Sequence, residues 1–173
     1  MRKIYYSIVC MLQLCFSYAQ KHDNIWLAGY YDNVNEPGYG NASFDFQSNT
    51  AGQIGMDSYG ANFESTLATM CDSSGTLLFY TNGCAVFGRN KNILLNGDGL
   101  NPGDIRNRTC PRYGYIAPKG AMALPYPGHP NKYILLHTGI KEHPKLKILW
   151  SPLYFTTIEM SPNGETGNVM SKN

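Results

Sequence analysis

The chain has 173 residues, 43% of them hydrophobic, with 14 Lys and Arg against 12 Asp and Glu. With residues 1–19 set aside as a leader, bases and acids balance, which argues against nucleic acid as a partner. What remains is long enough to bury a sizeable core, and no later apolar stretch has the length of a membrane span.

The leader comes first in chain order. In MRKIYYSIVCMLQLCFSYAQ, Arg2 and Lys3 form a positive start, 4–16 are mostly apolar, and Ser17-Tyr18-Ala19 is a small-x-small cleavage site. This pattern predicts a secretory signal peptide over 1–19, cut before Gln20. The apolar run is short for a membrane anchor. Cys10 follows Val9 and Cys15 follows Leu14, so no small residue precedes a lipid-acceptor cysteine.

From Gln20 onward the composition predicts short strands over 24–30, 42–46, 65–71, 76–82, 84–88, 92–95, 121–125, 132–138 and 153–160. Turn clusters rich in Gly, Pro, Asn and Asp separate them, and no window sustains a helical apolar stripe. The expected class is all-β. Asp72-Ser73-Ser74-Gly75 predicts a hairpin of 65–71 with 76–82, since Asp accepts backbone N–H bonds and Gly takes a positive φ. PYPGHPN predicts a second hairpin, joining 121–125 to 132–138.

Leu77, Leu78, Phe79 and Tyr80 are consecutive, so both faces of that strand are apolar. Stacked sheets suit such a strand, as in a β-propeller with WD40-like blades. A β-sandwich, the alternative, leaves each outer face wet and alternates more cleanly. A blade takes roughly 40–45 residues, so 20–173 supplies about three. The expectation is a partial propeller, an open arc with an unpaired last edge.

Three cysteines follow the leader: Cys71, Cys84 and Cys110. An odd count in an exported chain suggests one bridge and one leftover thiol. The 72–75 turn places Cys71 and Cys84 roughly 26 Å apart along the strand, far beyond disulfide reach. The expected bridge is therefore Cys84–Cys110, closing the long loop between them, with Cys71 a buried thiol.

Charge is uneven. Residues 20–88 hold seven acids and one Lys, whereas 89–173 hold eleven bases and five acids. Such halves either attract each other in the fold, the commoner case, or expose a basic binding surface. The basic loop around Cys110 carries Arg106, Arg108, Arg112, Tyr113 and Tyr115. Arg and Tyr favour interaction hot spots, which makes this loop a candidate interface. The alternative is that a bridge pins the loop and its arginines pair with the acidic half.

No catalytic, metal or cofactor motif stands out: there is no G-x-S-x-G and no H-E-x-x-H. His129 and His143 fall in turns, and His137 falls in a strand as a packed histidine. Asn96, Asp98, Asn101 and Asp104 offer oxygen ligands, but Leu100 breaks the calcium-loop spacing.

Several phrases then carry a resemblance. NIWLAGY, LLFYTNGCAVFGRNKNILLNGDGL, AMALPYPGHPNKYILLH and LYFTTIEMSPNGETGNVMSKN follow in order over about 24–173. They resemble the N-terminal region of large secreted surface proteins of gliding-type bacteria. The resemblance implies a propeller-like domain and, in the family, later immunoglobulin-like repeats and a sorting domain for type IX secretion. Residues 105–119 are longer and more basic here than the family's loop, and the sequence stops where the family continues. The expected organisation is thus a leader, 1–19, and an incomplete propeller-like domain, 20–173. The expected role is a non-enzymatic binding or adhesion module, secreted or at the cell surface, contacting protein or glycan. The alternative is a propeller glycoside hydrolase, which needs paired carboxylates at one pocket.

Overall fold

The computed structural model describes residues 20–29, 32, 40–47, 52–143, 145 and 149–173. The expected leader at 1–19, Tyr30 of the first expected strand and most of the turn after it lie outside these. The protein is all-β. A three-stranded antiparallel sheet joins β1 (Ile25–Ala28), β2 (Asn41–Asp45) and β3 (Gln53–Asp57). A meander follows: β4 (Ala68–Cys71), β5 (Leu77–Thr81), β6 (Ala85–Gly88) and β7 (Ile93–Asp98). One short helix, α1 (Asp104–Thr109), interrupts the long loop. Next come β8 (Ala121–Pro125), β9 (Lys132–Thr138), the small pair β10 (Lys141–Glu142) and β11 (Leu149–Trp150), then β12 (Leu153–Met160) and β13 (Gly167–Ser171).

Eight strands form one sheet in the order β4-β5-β6-β7-β13-β12-β9-β8. Its two antiparallel units, β4–β7 and β8–β9–β12–β13, are joined by a parallel contact of β13 with β7 at Asn168 and Leu95. The expected unpaired last edge is corrected here, because β13 has a neighbour on each side. The free edges are β4 and β8, which approach each other, so the sheet curls to near closure. Two facing four-stranded units are compatible with propeller-like blades or with a sandwich.

The main core lies between the units. Met70, Phe79, Val86 and Leu94 meet Tyr133, Leu135, Ile158, Met160 and Val169. Strict alternation in β9 builds this face, with Tyr133, Leu135 and His137 inward and Ile134 and Leu136 outward. Burying a side chain such as Leu135 or Ile158 contributes about 1.5–3 kcal/mol.

The run Leu77–Tyr80 is explained by a second core on the other face of β5. Tyr80, Ala85 and Phe87 are covered by Leu27 of β1 and by Tyr59, Ala61 and Phe63. Tyr80 stacks on Phe87 with centroids 5.3 Å apart and stands edge-on to Tyr59 and Phe63. Its hydroxyl donates to the Tyr59 carbonyl. Burial, with the Asp32 charge second, pushes the Tyr80 phenol far above its usual range.

The Asp72 turn forms as its chemistry dictates. Asp72 Oδ1 accepts from Ser74 N (2.8 Å), Ser74 Oγ (2.6 Å) and Thr76 N (3.0 Å), while Gly75 sits at φ +96°. Burial alone would raise the Asp72 carboxyl, but these bonds outweigh it and hold the pKa below 3.8. Asp72→Ala is expected to lower stability by about 1–3 kcal/mol, measured by urea unfolding. In the parent the Asp72 contribution is complete above pH 3.8, the unfolded value, and disappears as pH falls through the lower folded value.

The charge halves do not simply attract. Lys91–Asp57 joins them, but Arg89–Glu165, Arg106–Asp98 and Lys132–Glu159 all pair within 89–173. No helix among the described residues is long and apolar enough to cross a membrane.

Candidate functional site

Three tight connections reach the same rim of the curled sheet: 72–76 between β4 and β5, 126–131 between β8 and β9, and 161–166 between β12 and β13. With Gln20 and His22 they enclose a groove of about 840 Å³. Volumes of roughly 300–1,000 Å³ are typical of small-ligand pockets.

Each wall is fixed by its own backbone. In the 126–131 loop, Tyr126 N donates to the Lys132 carbonyl (2.8 Å) and His129 N to the Tyr126 carbonyl (3.1 Å). The Tyr126 and His129 rings meet edge to face at 5.1 Å. In the 161–166 turn, Gly164 N donates to the Ser161 carbonyl (2.8 Å), and Thr166 N to Ser161 Oγ (3.1 Å). Met160 N donates to the Asn131 carbonyl at 2.8 Å, tying two walls together. His22 fixes the third side, with Nδ1 2.6 Å from the Cys71 carbonyl and its ring 6.5 Å from Tyr133.

The groove therefore presents the half-buried Tyr126 ring, prolines, an exposed imidazole (His129) and exposed amide and hydroxyl groups (Asn131, Ser73), with the buried Tyr133 at its base. Asp72 is the one carboxylate among its lining residues, and its Oδ1 is spent on the turn. Burial pushes the Tyr133 phenol up, so it is a neutral hydroxyl. Such a surface can hold a ligand that combines apolar C–H faces with hydroxyl groups.

The opposite rim holds the residues singled out in the basic loop. Cys84 and Cys110 are bridged, with Cα atoms 5.7 Å apart, and Cys71 is a buried free thiol. Tyr115 is 1% exposed, so it belongs to the packing around the bridge and not to an interaction surface. Its hydroxyl accepts from Ile140 N (2.6 Å), and its own N donates to the Asn82 carbonyl (3.0 Å). Arg106 is half-buried and pairs with the exposed Asp98 carboxylate at 2.6 Å. Arg108 and Arg112 are exposed and Tyr113 is half-buried. Arg108 borders a hollow with α1 and Ile140, while the Arg112 carbonyl accepts from Asn62 Nδ2 (2.5 Å). The five residues thus do not form one patch.

The oxygen-rich loop at 96–104 is filled from within. Lys172 Nζ donates to Asp98 O (2.6 Å), Asn96 Oδ1 (3.0 Å) and Asn96 O (3.1 Å), so an ammonium group occupies the oxygen cage. Asn101 is buried between Gly83 and His137. His137 itself is 1% exposed, with Nδ1 2.7 Å from Asn101 Oδ1 and Nε2 2.9 Å from Thr156 Oγ1. Burial lowers its pKa to about 4, so it is a neutral structural histidine.

Sequence reasoning missed the groove. Tyr126, His129, Asn131 and Asn163 sit in segments read only as turns, and their convergence depends on strand order. Aromatics inside the Pro-rich PYPGHPN were the available signal. Compared with known proteins, the chain matches no family model, no curated protein and no solved structure.

Proposed function

We propose that this chain is a non-enzymatic binding module, secreted or held at the outer cell surface, whose groove between the three turns takes a neutral glycan. The observation carrying this reading is the pairing of the Tyr126 ring with exposed amide and hydroxyl groups on walls already locked by backbone hydrogen bonds. A preformed wall spares a ligand the cost of ordering it. Sugars match this surface, because a ring offers an apolar C–H face to an aromatic and hydroxyls to amides. The single lining carboxylate, engaged in its turn, favours binding over glycoside hydrolysis, which uses a pair. The Cys84–Cys110 bridge fits an oxidising compartment. The resemblance to surface proteins of gliding-type bacteria points the same way, including export by the type IX route as part of a larger protein.

The test is a glycan array with the purified chain. The expected result is retention of a set of neutral oligosaccharides, weakened at least about tenfold in Tyr126→Ala and in Asn131→Ala. Binding of no glycan, or variants that bind as tightly as the parent, would defeat the reading.

A further inference from the structure

His22 is tied to Cys71 at both ends of the residue. Its backbone carbonyl accepts from Cys71 N at 2.9 Å, and its ring Nδ1 lies 2.6 Å from the Cys71 carbonyl. A carbonyl oxygen only accepts, so Nδ1 carries the hydrogen of that bond. In a neutral imidazole the other nitrogen then holds a lone pair and no hydrogen. His22 lines the groove, and among the described residues nothing bonds its Nε2, which is not enclosed. The fold thus fixes one tautomer and leaves an open acceptor on the groove wall. Asp72, the residue after Cys71, adds a second. Its Oδ1 takes the Ser74 N, Ser74 Oγ and Thr76 N bonds, whereas Oδ2 takes none of them. A carboxylate oxygen also only accepts. The other walls do not choose in this way. The Asn131 amide and the Ser73 hydroxyl each offer a donor and an acceptor. The His129 ring meets Tyr126 but makes no hydrogen bond among the described residues, so its tautomer is free to follow the ligand.

We propose that the wall formed by His22 and Asp72 selects glycans by their free hydroxyl groups, which must donate to His22 Nε2 and to Asp72, so that O-methylated and carboxylate-bearing sugars are refused. This rests on the glycan reading of the groove and says which glycans it takes. A methyl ether has no hydrogen to give. It would set its own lone pairs against Nε2 and leave that acceptor without a partner. A site built to bond a hydroxyl rejects an analogue lacking it far more strongly than an apolar pocket rejects a missing methylene. A uronate sugar would bring a second negative charge to Asp72, and a repulsive element of this kind is how a site excludes a near relative of its ligand. His22 therefore has two roles at one ring: Nδ1 holds the wall together, and Nε2 reads what enters.

The experiment has a ligand-free arm and a binding arm. Nitrogen-15 NMR of the parent chain at about pH 8, above the range in which imidazoles titrate, reads the tautomer directly. The expected result is His22 protonated at Nδ1 and bare at Nε2; the opposite tautomer, or a mixture, overturns the proposal. The binding arm uses calorimetry with neutral gluco-, manno- and xylo-oligosaccharides, their fully O-methylated forms and uronate oligosaccharides. A neutral sugar that binds should lose at least about tenfold in affinity on methylation, and the uronates should bind at least about tenfold more weakly. Two variants separate the roles of the ring. His22→Asn puts an amide nitrogen near the place of Nδ1, so it keeps the Cys71 bond and removes the acceptor. His22→Gln puts its amide near the place of Nε2 and gives up the Cys71 bond. The Asn variant should lose about tenfold and show a smaller methylation penalty, and the Gln variant should retain more affinity than the Asn variant. The reverse order would show that His22 only holds the wall, and it overturns the proposal. Circular dichroism checks both folds, and the tautomer and methylation results decide the matter without either variant. Equal binding of neutral and methylated sugars overturns this proposal and leaves the glycan reading standing; binding of no sugar defeats both.

Discussion

Reduction of the Cys84–Cys110 bridge is expected to lower stability by about 3.5 kcal/mol. The bridge spans 26 residues of sequence, and the chain-entropy relation gives that value for a loop of this length. It holds α1 and the basic loop against the rim, where Cys84, Tyr115 and Ala117 pack with Ile105, Cys110 and Ile140. Cys84→Ser with Cys110→Ser should reproduce the loss in urea unfolding without reductant, and reductant should then add nothing. Cys71→Ala is the control: it removes one small buried group, leaves the bridge, and keeps the response to reductant. A double variant as stable as the parent would show that the loop holds through the Tyr115 and Thr66 hydrogen bonds alone.

Acid is expected to remove about 3 kcal/mol through His137 alone. Its pKa falls from 6.5 to about 4 on burial, so the unfolded chain takes up the proton more readily than the folded one. The contribution is therefore complete above pH 6.5 and is lost progressively as pH falls toward 4. Protonation would leave both ring nitrogens as donors, which Asn101 Oδ1 and Thr156 Oγ1 can receive, but the charge would stay buried beside the Tyr154 ring at 5.5 Å. His137→Gln keeps a donor and an acceptor without a titrating group. Its urea midpoint should change much less between pH 7 and pH 4 than that of the parent, and equal slopes would remove His137 from the account.

The hairpins were legible because their turns are local chemistry. Asp72 and Gly75 specify one, and PYPGHPN with its alternating partner strands specifies the other; β8, β9 and β12 fall where the sequence placed them. The bridge was legible through distance and loop path, since a correct turn excludes Cys71–Cys84 by strand length and the long loop returns Cys110 toward Cys84. The apolar run at Leu77–Tyr80 announced that both faces of β5 would be covered, but not by what. β3 was missed because Gln53-Ile54-Gly55-Met56-Asp57 carries a Gly and an exposed apolar face, and its pairing with β2 alone makes it a strand. β13 was missed because Gly167 and Asn168 read as turn residues. Tyr115 was read as a surface tyrosine, because sequence does not show that the bridge folds the loop back over it. The groove was hidden for a related reason: three loops share a rim only through an eight-strand order that no local pattern encodes.

The parallel seam of β13 against β7 bears on how the chain reaches its native state. β13 follows every other strand in the described sequence, yet it is inserted between β7 and β12. The β4–β7 meander and the β8–β9–β12 meander can each form from neighbours in sequence, but the seam between them closes only after β13 is made. Contacts this distant in sequence form slowly. During synthesis the long edges of β7 and β12 remain unpaired, and unpaired edges invite strands from other chains.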